Sequence, residues 1–150
     1  NFLFCRYADD FVVLCDGTKG QAEAMRQELS EFLATELKLT LSMEKTKITH
    51  VGEGFRFLGF WIERNIGMSG KLAPRIRIPE EAVTKFRAKM RMALSKSTHG
   101  DSLNTKIMAL NRITRGWCQY YQTTSSPHFY FGKLSDEMYW LMAHWLGRKH

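Results

Sequence analysis

Residues 2–7 (Phe-Leu-Phe-Cys-Arg-Tyr) and 11–15 (Phe-Val-Val-Leu-Cys) are two apolar, β-rich runs joined by three residues, Ala8-Asp9-Asp10. So short a link leaves an antiparallel hairpin as their one arrangement, because parallel strands need a crossover of a dozen residues or more. Both faces of each run are apolar, the pattern of central strands covered on both sides. The turn then carries two adjacent carboxylates at the tip of a buried ribbon, where like charges repel and the sequence offers no obvious cationic neighbour. A hard divalent cation such as Mg²⁺ removes that repulsion, being bound through one or two carboxylates plus substrate phosphates. Ala8 is small enough to admit a sugar–phosphate backbone, and Tyr7 offers a ring face or hydroxyl to a base or ribose. The plain alternative is a solvated Asp-rich turn.

Beyond the hairpin, Thr18 and Gln21 form a capping-box pattern that opens a helix over residues 19–37. Ala22, Met25, Leu29, Phe32, Leu33 and Leu37 recur at helical spacing, a stripe for packing on a sheet. Residues 39–41 read as a short strand, 42–47 as a polar turn, 48–51 as a return to the sheet, 55–63 as one further strand and 65–70 as a Gly-rich turn. From residue 75 the pattern turns helical, with Pro79, Glu80 and Glu81 suited to a first turn. Helices are expected over residues 79–96, 103–123 and 131–147, with a loop at 97–102. Their inward positions are Val83, Phe86, Met90 and Leu94, then Leu103, Ile107, Leu110, Ile113, Trp117 and Tyr121, then Leu134, Met138, Leu141 and Trp145. Three amphipathic helices with short links make a small bundle.

Composition narrows the function classes. At 44% apolar and 25% charged, 150 residues form an ordinary globular chain, not a disordered one. The longest apolar runs are about five residues against roughly 18 for a membrane span. Cys5, Cys15 and Cys118 are odd in number and lack C-x-x-C spacing, so neither a disulfide framework nor a zinc site is expected. The opening Asn1-Phe2-Leu3-Phe4, without an initiator Met or a basic leader, reads as a cut through a strand of a longer protein.

The net charge of +7 is divided unevenly. Residues 1–70 carry eight Lys/Arg against ten Asp/Glu, and residues 71–150 carry fourteen against five. A basic second half points to a polyanion, with nucleic acid ahead of an anionic membrane; a merely basic surface is the alternative. Arg75 and Arg77 alternate with Ile76 and Ile78, so both fall on one extended face. Lys85, Arg87, Lys89 and Arg91 follow on the first helix of this half, and Arg112 and Arg115 on the second, as phosphate contacts. Tyr120 is off the apolar stripe and is the candidate for stacking on a base; Trp117 is on it and packs the bundle.

Arg6-Tyr7-Ala8-Asp9-Asp10-Phe11 resembles the Tyr-x-Asp-Asp hairpin of reverse transcriptases, in the form found in group II intron reverse transcriptase/maturases. Three further blocks follow in order. Leu41-Ser42-Met43-Glu44-Lys45-Thr46-Lys47-Ile48 resembles the next palm block, and Gly54-Phe55-Arg56-Phe57-Leu58-Gly59-Phe60 the block whose Phe-Leu-Gly core forms the primer grip. Arg115-Gly116-Trp117-Cys118-Gln119-Tyr120-Tyr121 is similar to the Arg-Gly-Trp-x-x-Tyr-Tyr signature of domain X, the maturase thumb.

The resemblance implies an α+β chain: the C-terminal part of a palm over residues 1–72, an antiparallel sheet with a packed helix, then a three-helix thumb over 73–150. It implies an RNA-directed DNA polymerase that copies RNA by two-metal nucleotidyl transfer and binds intron RNA to promote splicing. Asp9 and Asp10 are then the metal ligands, for Mg²⁺ or Mn²⁺. Lys45 or Lys47 stands near the pyrophosphate leaving group, as a general acid or a plain counter-charge. Phe57, Leu58 and Gly59 form a strand whose glycine admits the primer backbone. The implied partners are RNA template, intron RNA, DNA primer and dNTP, with no membrane, in a bacterial cytoplasmic or organellar ribonucleoprotein. Because the palm's upstream Asp and the fingers lie outside these residues, the 150-residue chain alone is expected to be inactive. The alternatives are a splicing maturase without polymerase activity, or a reverse transcriptase of retron or CRISPR-associated lineage. The Arg-Gly-Trp block favours the intron lineage.

Overall fold

Tyr7 pairs with Asp10 and Phe2 with Cys15, so β1 (Phe2–Tyr7) and β2 (Asp10–Cys15) make an antiparallel hairpin whose turn is Ala8-Asp9 alone. The structure is a computed structural model that describes residues 1–67, 70–98 and 100–149, without the side chains of residues 96 and 149. The expected turn at 65–70 and loop at 97–102 thus lie partly outside the described residues. Ala8 has φ +50° and Asp9 does not share the positive φ, an arrangement in the manner of a type II′ turn. Cross-strand partners share a face, which puts Leu3, Cys5, Tyr7, Asp10, Val12 and Leu14 on one side. The other side holds Phe2, Phe4, Arg6, Phe11, Val13 and Cys15.

These were expected to be strands covered on both sides, but the described residues leave the ribbon open, with Leu3 70% and Phe4 61% exposed. Apolarity on two faces says what a ribbon is fit to pack against, not that the cover lies within the same 150 residues.

Helix α1 (Lys19–Glu36) starts with the expected capping box: the Gln21 amide donates to Thr18 Oγ1 at 3.3 Å and the Thr18 amide to Gln21 Oε1 at 2.8 Å. Ala22, Met25, Leu29 and Leu33 are half-buried, whereas Phe32 and Leu37 are exposed, and no α1 residue is fully buried. The strands expected at 39–41 and 48–51 do not form. Residues 42–46 fold into a turn through the Thr46 amide and hydroxyl, both donating to the Ser42 carbonyl (2.9 and 2.7 Å). A short apolar run becomes a strand only where a partner pairs with it.

The second sheet is antiparallel, in the order β3 (Phe55–Phe57), β4 (Phe60–Ile66), β5 (Leu72–Arg77). It is separate from β1–β2, which corrects the expected single palm sheet. It also corrects the expected continuous strand at 55–63. Leu58 and Gly59 are a two-residue turn, both at positive φ (+46° and +74°), the type I′ geometry that matches strand twist. The apolar alternation runs unbroken through that turn and hides it. Pro74 is tolerated in β5 because β5 is an edge strand.

The three expected helices are present as α2 (Glu80–Ala93), α3 (Leu103–Tyr121) and α4 (Pro127–Lys149), with Pro127 at the first helical position of α4, four residues before the expected start. The core lies here: Ile78, Val83, Phe86, Met90, Tyr121 and Leu134 are buried, with Phe60, Trp117 and Phe131 packed against them. The expected inward residues Leu103 and Ile107 are instead 41% and 42% exposed, and Lys106 is buried. Its ammonium pairs with Asp101 at 2.6 Å and lies over the Trp145 ring, while Trp145 Nε1 donates to Thr98 Oγ1. A lysine buried by its carboxylate and an indole face is invisible to an apolar-stripe reading. The molecule is α+β, with two small antiparallel sheets and four α-helices among the described residues.

Candidate nucleic-acid interface

The β1–β2 turn holds Asp9 and Asp10 in solvent at the tip of the ribbon, with Tyr7 beside Asp10 on one face. Arg6, on the opposite face, folds its guanidinium back so that Nε donates to the Ala8 carbonyl at 2.9 Å. Arg6 thus grips the turn backbone, and no ion pair joins it to Asp9 or Asp10. Among the described residues no three His, Cys, Asp or Glu side chains gather as a metal cage. Two exposed neighbouring carboxylates are nonetheless a donor set that suits a hard divalent cation completed by phosphate oxygens. Lys45 is exposed in the 42–46 turn, and no hydrogen bond or ion pair joins it to Asp9 or Asp10.

The β3–β4 turn is met by α3. Tyr120 donates its hydroxyl to the Leu58 carbonyl at 2.5 Å, and Tyr121 to the Gly59 carbonyl at 3.4 Å. Phe60 stacks on Tyr120 (5.2 Å, 16°) and meets Tyr121 edge-on. Tyr120, expected to be a free stacking ring, is thus engaged by the hairpin although half exposed. Burial and the neighbouring Tyr120 push the Tyr121 hydroxyl up, so it stays a proton donor.

One face of the second sheet is charged. Register places Trp61 between Arg56 and Arg77, and Glu63 beside Arg75, so Arg75 and Arg77 do share a face. Arg77 is not a free phosphate ligand, since its Nη2 donates to Glu63 Oε2 at 2.7 Å. The Trp61 indole donates to the same oxygen at 3.0 Å, and the indole and Arg77 hold the buried Glu63 carboxyl below its ordinary range. Gly54, at φ +81°, lies under that indole, and a Cβ there would approach Trp61 to 2.7 Å. Arg56 pairs with Glu81 on α2. The sequence reading missed Gly54, Trp61 and Glu63, which look like ordinary turn and strand residues until the register is known.

Lys85 and Lys89 border a groove of about 330 Å³ between α2 and α3, floored by Phe86, Ile113, Trp117 and Tyr121. Arg112 and Arg115 are exposed on α3. Arg87, read as one more outward cation, faces α4 and makes a fork with Glu137 (Nε–Oε2 2.7 Å, Nη2–Oε1 2.6 Å). Trp117 packs as expected, stacked on Phe86 at 4.5 Å.

With the tip, the clasped hairpin and the basic groove in place, comparison with known proteins assigns the two halves. Residues 1–62 match the family described as reverse transcriptase (RNA-dependent DNA polymerase), and residues 83–150 match the group II intron, maturase-specific domain. The chain belongs to the group II intron reverse transcriptase/maturase family. Similar proteins include Protein YkfC of Escherichia coli K12, 45% identical over 93 residues and 62% of this chain. The group II intron-encoded protein LtrA of Lactococcus lactis is 30% identical over 146 residues and 82% of the chain. The chain spans 24% of the length of each. No described helix is long and apolar enough to cross a membrane.

Proposed function

We propose that this chain carries the catalytic tip and the nucleic-acid grip of an RNA-directed DNA polymerase that also binds its intron RNA. The observation that carries the reading is the Asp9-Asp10 pair, held in solvent at a two-residue turn within the segment that matches the reverse transcriptase family. The two carboxylates hold Mg²⁺, or Mn²⁺ in its place. The chemistry supplied by the bound ions is activation of the primer 3′-hydroxyl and offset of charge on the dNTP phosphates. Ala8 leaves room for the primer terminus, and Tyr7, on the face it shares with Asp10, offers its ring to the nascent pair. Lys45 or Lys47 counters charge on the departing pyrophosphate.

Across the second sheet and the helices, Arg75, Lys85, Lys89, Arg112 and Arg115 contact phosphates, which gives affinity with little sequence preference. Leu58 and Gly59 meet the primer as a turn, with Phe57 the last residue of the strand that leads into it.

The basic helical half and its match to the maturase-specific domain favour a second reading, RNA binding for splicing without DNA synthesis. Asp9→Ala with Asp10→Ala in the full-length protein separates the two. DNA synthesis should fall by at least about a hundredfold while intron RNA affinity stays within about twofold. Unchanged synthesis refutes the metal-site reading, and a parallel loss of RNA affinity makes the turn structural.

A further inference from the structure

The sheet β3-β4-β5 meets the end of α3 at two places. Ser125, just past α3, takes both polar groups of Ile76 on β5: its amide donates to the Ile76 carbonyl and the Ile76 amide donates to its Oγ, each at 2.8 Å. At the other place Tyr120 and Tyr121 occupy the carbonyls of Leu58 and Gly59. Successive helical residues point about 100° apart. Both neighbouring phenols nonetheless reach one turn, with Phe60 against each of them, stacked on one ring and edge-on to the other.

The two carbonyls need such partners less than the arrangement suggests. They belong to the turn, outside the β3–β4 ladder, where water would satisfy them at little cost. Tyr120 is half exposed, so its ring adds modest burial. Phe60 already anchors the hairpin in the core. Tyr121 is held in the core by its ring whatever its hydroxyl bonds to, so stability explains the two rings but leaves the convergence of both hydroxyls on one turn to be explained by fixing its orientation. Gly59 completes the fit, since a Cβ there would stand 3.3 Å from the Tyr120 oxygen.

We propose that Tyr120 and Tyr121 are positioning residues: their hydroxyls hold the Leu58-Gly59 turn at one height and angle on α3, and so set how that turn meets the primer strand. The positioning role rests on the polymerase reading above; the clasp itself does not.

The test uses the full-length protein with Tyr120→Phe, Tyr121→Phe and the pair, and Ser125→Ala as a control that loses a hydrogen bond between the α3–α4 link and the sheet, away from the turn. Two readouts are taken on each: amide exchange across residues 55–62, and primer extension separated into KM for primer–template, kcat and processivity. Loss of the hydroxyls should speed exchange at the turn and raise KM for primer–template about three- to tenfold, with kcat within twofold and the rings still stacked. Ser125→Ala should lower the melting temperature and leave that KM unchanged. Unchanged exchange at the turn overturns the clasp. Faster exchange with unaltered KM and processivity overturns the positioning role. A wild-type protein with no DNA synthesis refutes the polymerase reading instead, and the exchange result still decides the clasp.

Discussion

Glu63 shows what a single residue does in this fold. It is 7% exposed, one carboxylate oxygen is shared by the Trp61 indole and Arg77, and the other lies buried without a hydrogen bond. The indole and the guanidinium favour the charged form and hold its pKa down. A depressed carboxyl contributes stability that is complete above its unfolded-state pKa and is lost as pH falls through the folded value. Melting temperature should therefore decline as pH drops through and below the ordinary carboxylate range, and Glu63→Gln should flatten that decline. At neutral pH the same substitution should cost about 1–2 kcal/mol by urea unfolding. An acid limb unchanged by Glu63→Gln would refute the role. In the sequence Glu63 is only the polar residue that ends an apolar run; Arg77, fourteen residues on, becomes its partner through β4–β5 register.

Among the elements, those specified by local rules were legible. The Thr18/Gln21 box places α1 to the residue, and the stripe of Val83, Phe86 and Met90 is buried as its spacing requires. Elements that depend on pairing were legible only at the β1–β2 hairpin, whose link is too short for any other arrangement. Runs at 39–41 and 48–51 had the composition but form no ladder, Val51 making a single backbone bond to Arg64 of β4, and the type I′ turn at Leu58-Gly59 lacks the Asn-Gly or Asp-Gly letters that advertise such turns. Charges on α2 also divide by contact, which helical spacing alone did not reveal: Lys85 and Lys89 border the groove, but Arg87 joins α2 to α4 through the Glu137 fork. Arg87→Lys keeps the charge and loses the fork, so it should cost about 1 kcal/mol, read as a lower urea midpoint with unchanged slope. No shift in midpoint would show the pair to be ornamental.

The whole molecule joins an acidic half that presents two carboxylates to a basic half that presents a groove. Charge counting alone showed that division, and the four motif blocks named the family before any geometry was known. What neither could show is that two of those blocks touch: the Phe-Leu-Gly turn rests on the Tyr-Tyr pair, 62 residues away in sequence. Contact at that separation is a property of the packed core, not of either segment. Removing two groove cations tests the phosphate reading at this scale. Lys85→Gln with Lys89→Gln should weaken RNA binding alike for all sequences and reduce the slope of log K against log salt by about 1.5. An unaltered slope, measured by titration over a range of KCl, would remove both lysines from the interface.

The β1–β2 ribbon has a further consequence. Among the described residues both of its strands are edges, and β1 carries neither a proline nor a lysine to discourage pairing, only the single charge of Arg6. Its unpaired amides and carbonyls form a template for another extended chain, and its exposed Phe and Leu side chains favour stacking of one ribbon on the next. Whatever segment lies against these six residues of the first strand therefore shields the protein from self-association as well as completing the ribbon's packing.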